Sequence, residues 1–135
     1  MDNELHKVFV YGTLKSGGEI RGLNTFGEGA TIVGKAKTEF PDYHMIDLGA
    51  FPGVILKGTK YIQGEVWEVD DEAMEQLDMI EGYPEFYDRQ QTQTTLGKAW
   101  MYYLSKDYSQ DLSIAINTRN SDQIEEVDNT LIWSV

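Results

Sequence analysis

The stretch VFVYGTLKSG, residues 8–17, begins as an apolar strand and breaks at a glycine. The four apolar and aromatic residues 8–11 predict a strand that is buried on both faces. Gly12 ends this run, so the backbone amides of Thr13 and Leu14 follow a residue without a side chain. Successive amides of this kind can form an anion-binding concavity, although most strands followed by glycine are simply turns. The stretch alone leaves both interpretations open.

The remaining sequence predicts a mostly β domain with one helix. Predicted strands lie at residues 31–37, 40–48, 85–95 and 98–104, and a predicted hairpin joins residues 54–56 to residues 61–69. Asp70 caps a predicted helix over residues 70–81, which ends before Gly82. Because regular βαβ alternation is absent, we expect an α+β fold, with a small barrel or a strongly curved sheet that carries the helix.

The chain has the size and apolar content of one domain, residues 1–135, with 41% hydrophobic residues. Beyond Ser105 the composition turns polar, and residues 106–135 match no pattern that we can assign. We expect this C-terminal tail to be partly ordered, with residues 131–135 adding an edge strand.

The formal net charge of −12 disfavours several classes of partner. Residues 61–89 contain ten acidic residues, and Arg89 is the only basic residue among them. A phosphate backbone or an anionic membrane surface would be repelled, so we expect neither nucleic acid nor membrane as a partner. Solubility explains the acidity better than attraction of a cationic partner does.

Other features favour a cytoplasmic protein without a metal. No apolar run approaches the roughly 18 residues that cross a bilayer, and residues 1–7 do not resemble a signal peptide. The chain has no cysteine, and His6 and His44 are isolated, so we expect no metal site. The segment GATIVGKA, residues 29–36, resembles a phosphate-binding loop, but it favours strand and ends in alanine, so we reject that interpretation.

Glu81 is the acid in the most informative position. Met74, Leu77 and Glu81 have helical spacing, so a carboxylate shares the stripe that should face the core. Burial, the negative end of the helix dipole and neighbouring acids should all raise its pKa, which suits a group that exchanges protons near neutral pH. The alternative is a carboxylate at a frayed helix end that turns into water.

Four motifs together resemble the γ-glutamylcyclotransferase superfamily. They are VFVYGTLKSG at residues 8–17, FPGV at 51–54, GEVWEV at 64–69 and LDMIEGYPEFYDR at 77–89. The resemblance covers about residues 7–104 and is closest to the γ-glutamylamine cyclotransferase branch. It implies a small mixed β-barrel with flanking helices.

The resemblance also implies a reaction that needs no cofactor and no metal. The α-amine of a γ-glutamyl substrate would attack its own side-chain amide, which releases an amine and closes 5-oxoproline. Glu81 would be the catalytic acid and base. The implied substrate-binding residues are Tyr11, Gly12, Thr13, Leu14, Phe51, Pro52 and Tyr87. Of these, Tyr11 could instead be only a buried aromatic at the strand end.

The preferred substrate is a γ-glutamyl-amine such as ε-(γ-glutamyl)-lysine. One alternative is a cyclotransferase for another γ-glutamyl compound, and another is a small-molecule binding module that lacks turnover. The resemblance places Arg89 on the strand after Glu81, where a structural salt bridge is the favoured role. The oligomeric state is left open.

Overall fold

The computed structural model describes residues 5–12, 29–48, 52–105 and 123–133. Within these ranges the chain forms eight strands and one helix. In chain order they are β1 (His6–Val10), β2 (Ala30–Lys37), β3 (Tyr43–Asp47), β4 (Pro52–Val69), α1 (Asp71–Ile80), β5 (Tyr87–Thr94), β6 (Gly97–Leu104), β7 (Ile124–Val127) and β8 (Thr130–Trp133).

The long strand β4 is the centre of the sheet. It pairs antiparallel with β1, β2 and β3, and parallel with β8. Strand β1 also pairs parallel with β6, which in turn pairs antiparallel with β5. The hydrogen-bonded order is therefore β5-β6-β1-β4-β8-β7, with β2 and β3 joined to β4 outside this path. The mixed sheet and single helix agree with the expected α+β class.

The prediction of a closed barrel is wrong for the described strands. Strands β2 and β5 come together at a single bridge between Thr38 and Thr94, without a continuous ladder. Two backbone hydrogen bonds flank this bridge, Thr95 N–H to the Lys37 carbonyl at 2.9 Å and Glu39 N–H to the Gln93 carbonyl at 3.0 Å. The sheet curves enough for these strand ends to touch, but it stays open.

The hairpin predicted between residues 54–56 and 61–69 is also wrong, because both segments belong to the single strand β4. The register of β4 shifts where Tyr43 and His44 of β3 face Lys60 and Ile55, so the residues between them form an irregularity in the strand. Gly58 lies in this irregularity, and a Cβ there would overlap the Tyr43 carbonyl group. The lack of a side chain at Gly58 therefore permits close contact between two strands.

The helix agrees with its sequence signals. The Asp70 carboxylate accepts a hydrogen bond from the Ala73 amide at 2.8 Å, as an N-cap should. Met74 and Leu77 are buried on the predicted stripe. In the described part of the chain, no helix combines the length and apolar character that a membrane span requires.

Part of the C-terminal tail forms a hairpin that the sequence analysis missed. Asp128 and Asn129 have positive φ angles of 51° and 62°, as in the tight turns that join hairpin strands, and they connect β7 to β8. Strand β8 lies between β4 and β7, so the expected edge strand near residues 131–135 is an inner strand. Residues 106–122 and 134–135 lie outside the described ranges.

We expect Gly64→Ala to destabilise the fold, because its Cβ would overlap the carbonyl oxygen of Val10 on the paired strand β1. The two central strands would have to separate, at a cost of about 2–4 kcal/mol in the free energy of unfolding. Urea denaturation measures this loss. The neighbouring variant Gln63→Ala serves as the control, and equal stability of the two variants would contradict the expectation.

Candidate functional site

Tyr11 ties together the strands that frame the candidate site. This buried residue follows β1, and its hydroxyl donates a hydrogen bond to the Tyr102 carbonyl of β6 at 2.7 Å. The same hydroxyl accepts a hydrogen bond from the Val54 amide of β4 at 3.3 Å. Of the two roles considered for Tyr11, these contacts support the buried strand-end aromatic, and its hydroxyl is committed to the backbone of two strands.

Gly12 and Pro52 bring two of the sequence motifs into contact. A Cβ on Gly12 would lie 2.9 Å from both Cγ and Cδ of Pro52, which is closer than packed atoms allow. The absence of a side chain at Gly12 therefore has a packing reason, since the first residue of β4 lies against it. Thr13, Leu14 and Phe51, the neighbouring predicted site residues, lie outside the described ranges.

Tyr87 connects the start of β5 to the start of β4. It is buried, and its hydroxyl donates a hydrogen bond to the Pro52 carbonyl at 2.6 Å. Leu104, which pairs with Tyr87 across β5 and β6, lies directly against Gly53. The region around Pro52 is thus held by β1, β5 and β6 together.

The turn after α1 presents Glu81. Glu81 is the C-cap of the helix, and Gly82 follows with a positive φ of 66°. The Gly82 amide donates to the Met79 carbonyl at 3.2 Å and the Tyr83 amide donates to the Asp78 carbonyl at 2.9 Å. This pair of hydrogen bonds defines a Schellman motif, which fixes the backbone direction at the helix end.

The Glu81 carboxylate is largely shielded from solvent. Glu81 is only partly exposed, and burial raises its pKa to about 7. The expected direction of the shift is therefore confirmed, and burial, the first of the three expected causes, accounts for it. A carboxyl group with this pKa is present in both protonation states near neutral pH.

Glu81 acts electrostatically on three buried tyrosines: Tyr11, which follows β1, Tyr87 of β5 and Tyr102 of β6. Burial is the main cause that raises the pKa of Tyr11, Tyr87 and Tyr102, and the charge of Glu81 raises each of them further. These phenols therefore stay protonated at neutral pH and keep the hydrogen bonds that they donate. Glu81 thus acts electrostatically on Tyr11 and Tyr87, and both tyrosines contact the start of β4, where Pro52 packs against Gly12.

The sequence analysis missed two neighbours of Glu81, Asp78 and Tyr102. The Tyr102 hydroxyl donates to Asp78 Oδ1 at 2.6 Å. Arg89 forms an ion pair with the same carboxylate, with Nε 3.0 Å from Oδ1, which agrees with the structural salt bridge expected for it. Tyr102 is 91 residues from Tyr11, and only the pairing of β1 with β6 could have revealed their contact.

The described residues contain no group of three or more metal-ligating side chains that could hold a metal ion. His6 lies beside the Asp71 carboxylate at 2.6 Å, at the N-terminal end of α1, and it is therefore separated from Glu81 by the length of the helix. His44 lies on β3, apart from this pair.

The family model for γ-glutamyl cyclotransferase, AIG2-like proteins matches residues 8–124. A Vibrio cholerae protein whose name assigns it to the γ-glutamylcyclotransferases is 39% identical over 97 residues, which cover 72% of this chain and 80% of that protein. The γ-glutamylcyclotransferase family protein YtfP of Escherichia coli K12 is 31% identical over 96 residues, covering 71% of this chain and 80% of YtfP.

Solved structures show the same fold. The crystal structure of an AIG2-like protein from mouse superposes with a TM-score of 0.65 at 24% identity, covering 76% of this chain and 78% of that chain. The solution structure of Escherichia coli YtfP gives a TM-score of 0.55 at 30% identity, covering 74% and 83%. The family match over residues 8–124 includes Tyr11, Glu81 and Tyr87, and so this chain belongs to the γ-glutamyl cyclotransferase, AIG2-like family.

Proposed function

We propose that this protein is a γ-glutamyl cyclotransferase that converts a γ-glutamyl-amine into 5-oxoproline and a free amine. The observation that carries the proposal is the Glu81 carboxyl group, whose burial raises its pKa to about 7 beside the end of β1. Membership of the family supports the reaction class. The γ-glutamylamine branch, and ε-(γ-glutamyl)-lysine as a substrate, are the finer part of the proposal.

The reaction joins two atoms of one substrate molecule. The α-nitrogen, after losing a proton from its ammonium form, attacks the carbon of the side-chain amide, and a C–N bond closes the five-membered ring. The ring nitrogen then loses a second proton and the original amide C–N bond breaks. The leaving nitrogen takes up two protons in total, so the amine departs as an ammonium ion. No atom changes its oxidation state, so the chemistry requires orientation and proton transfer rather than a redox cofactor.

Glu81 is the group that moves the proton. Its carboxylate accepts a proton from the α-ammonium group, and the resulting carboxylic acid donates a proton to the departing amine. A pKa of about 7 suits both steps, because neither protonation state is far from the working pH. The carboxyl group returns to its starting form after each turnover.

The end of β1 is proposed to bind the glutamyl part of the substrate. Backbone amides of Gly12, Thr13 and Leu14 would hold the α-carboxylate or the developing oxyanion, as amide concavities do for anions. Pro52 packs against Gly12 and accepts a hydrogen bond from the Tyr87 hydroxyl at 2.6 Å, so these two residues offer a rigid wall. Phe51 is proposed to extend that wall.

The composition of the sequence is also the basis for proposing a cytoplasmic location.

A panel of γ-glutamyl compounds tests the proposal, with 5-oxoproline as the measured product. The panel includes ε-(γ-glutamyl)-lysine, other γ-glutamyl-amines and glutathione. The compounds that yield 5-oxoproline identify the leaving groups that the enzyme accepts. We expect release from at least one γ-glutamyl-amine. Absence of 5-oxoproline from every compound would refute the enzymatic proposal and favour the binding module.

We expect Glu81→Gln to reduce kcat by about 10²–10⁴-fold, because the amide has a similar shape but cannot transfer the proton. Steady-state assays of 5-oxoproline release measure the change. Retention of more than a tenth of the wild-type kcat would contradict the role of Glu81.

The same variant has a built-in control for folding. Because the folded protein raises the pKa of Glu81 from 4.5 to about 7, the ionised side chain destabilises the fold, and the stability lost develops as pH rises between these values. Glu81→Gln should therefore be more stable than the wild type at pH 8, by about 3 kcal/mol, and lose this advantage below pH 4.5. Thermal unfolding at both pH values measures the difference.

The rate should depend on pH through Glu81. Since the first step needs the carboxylate form, kcat/KM for the free enzyme should rise as pH increases through about 7. A pH profile between 5 and 9 should show this acidic limb in the wild type. A limb near pH 4.5, the ordinary value for glutamate, would indicate that the catalytic group is not a buried Glu81.

We expect Gly12→Ala to weaken the site, because the new Cβ would displace the Pro52 ring by contact with its Cγ and Cδ atoms. The affinity for 5-oxoproline, measured by calorimetry, should fall several-fold. Alanine at position 52 lacks those two ring atoms, so the double variant Gly12→Ala/Pro52→Ala should recover part of the affinity. Unchanged affinity in Gly12→Ala would contradict the importance of this contact.

A further inference from the structure

Asp78, in the last turn of α1, contacts side chains from two strands. Its Oδ1 accepts a hydrogen bond from the Tyr102 hydroxyl of β6 at 2.6 Å. Its Oδ2 accepts a hydrogen bond from Arg89 Nη2 of β5 at 3.3 Å. Arg89 Nε lies 3.0 Å from Oδ1, but its N–H is not aligned for a hydrogen bond, so this second contact is an ion pair.

Two aromatic rings contact the guanidinium group of Arg89. Arg89 Cζ lies 4.6 Å from the centre of the Tyr83 ring and 4.5 Å from the centre of the Trp100 ring. Both distances are in the range of cation–π interactions. The planar guanidinium group thus contacts two aromatic rings while it pairs with a carboxylate, a combination that lysine could not reproduce.

The positions of these contacts along the chain are informative. Asp78 lies three residues before Glu81, and Tyr83 lies two residues after it. Arg89 therefore contacts the chain on both sides of Glu81. The same two residues are joined directly by the Tyr83 N–H to Asp78 carbonyl hydrogen bond of 2.9 Å, which closes the turn.

We propose that Arg89 is a positioning residue, which contacts Asp78 and Tyr83 at once and so fixes the turn that presents Glu81 to the substrate. The inference rests on the proposed function. Arg89 does not itself touch the reacting atoms, and it acts through the backbone of residues 78–83.

Stability alone is a poor explanation for this cluster. Replacing a mostly buried ion pair by apolar groups is often nearly neutral for stability, because desolvation offsets the attraction between the charges. Placement of a proton-transfer group is far more sensitive, since a displacement of about 1 Å can reduce the rate about 100-fold. A positioning role therefore predicts a loss in kcat that exceeds any loss in stability.

The effect of the Arg89 charge on the Glu81 pKa can be separated from the effect of Arg89 on the position of Glu81, because both partners of the ion pair can be neutralised. The titratable groups on which the Glu81 charge acts are Tyr11 after β1, Tyr87 of β5 and Tyr102 of β6, while Asp78 and Arg89 are the nearby charged pair. Arg89→Met leaves the Asp78 charge uncompensated and should raise the pKa of Glu81. Asp78→Asn/Arg89→Met removes both charges and should return that pKa toward its wild-type value.

The experiment compares these two variants and Arg89→Lys with the wild type. We expect kcat to fall about 10- to 100-fold in Arg89→Met and to stay low in the double variant, with KM changed less than threefold. Arg89→Lys should restore the Glu81 pKa but only part of kcat, because an ammonium group cannot form the stacked, two-point contact. Full recovery of kcat in the double variant, or a change confined to KM, would overturn the inference.

Lys60→Met is the matched control. This variant breaks a different ion pair, in which Lys60 Nζ of β4 lies 2.7 Å from Glu126 Oε2 of β7. We expect its kcat to equal that of the wild type. A loss in kcat as large as that of Arg89→Met would mean that any broken ion pair impairs the enzyme, and it would overturn the inference.

A second readout uses the free protein and does not depend on turnover. In Arg89→Met, NMR should show faster hydrogen exchange of the Tyr83 amide and a displaced titration of the Glu81 carboxyl carbon. If the wild type releases no 5-oxoproline, the proposed function fails, and these signals still decide whether Arg89 fixes the turn. Unchanged exchange and titration in Arg89→Met would overturn the inference even if the wild type is active.

Discussion

The hydroxyl group of Tyr11 is the contact on which the candidate site depends most. It donates to a carbonyl of β6 and accepts from an amide of β4, so one side chain fixes the relative positions of three strands where β1 ends. The ends of these strands carry Gly12, Pro52 and Tyr102, and each lies near Glu81 or its neighbours. Because the phenol is buried and its pKa is raised, the contact persists over the whole physiological pH range.

Glu81 shows how a helix end can be adapted for proton transfer. The Schellman hydrogen bonds satisfy carbonyl groups that the helix leaves free, and they direct the chain back toward β5. The glutamate side chain is largely withdrawn from water, and its charge acts on three buried tyrosines. Burial of this carboxylate destabilises the fold above pH 7, a cost that is typical of groups retained for activity rather than for stability.

Local signals in the sequence predicted local structure well. The helix and its cap follow from Asp70, Gly82 and the spacing of Met74 and Leu77, all of which act within a few residues. The candidate acid was also found in this way, because a carboxylate on an apolar stripe is recognisable from spacing alone. The catalytic and binding roles of the predicted residues stay predictions, and Thr13, Leu14 and Phe51 lie outside the described ranges.

Features that depend on distant pairing could not be predicted. Gly58 suggests a turn when only its neighbours are considered, whereas the structure places it against β3 inside one long strand. The contacts of Tyr102 with Tyr11 and Asp78 join residues far apart in the chain, and no local pattern encodes them. The hairpin of β7 and β8 was overlooked because its Asp128-Asn129 turn is short and two of the four residues of β7 are glutamates.

An open sheet has a further consequence for behaviour at high protein concentration. Among the described strands, β7 ends the hydrogen-bonded path and is mostly exposed, so its backbone could pair with a strand from another molecule. Glu125 and Glu126 occupy the middle of this short strand. Two such edges would bring like charges together, and this repulsion protects the protein from intermolecular strand addition and aggregation.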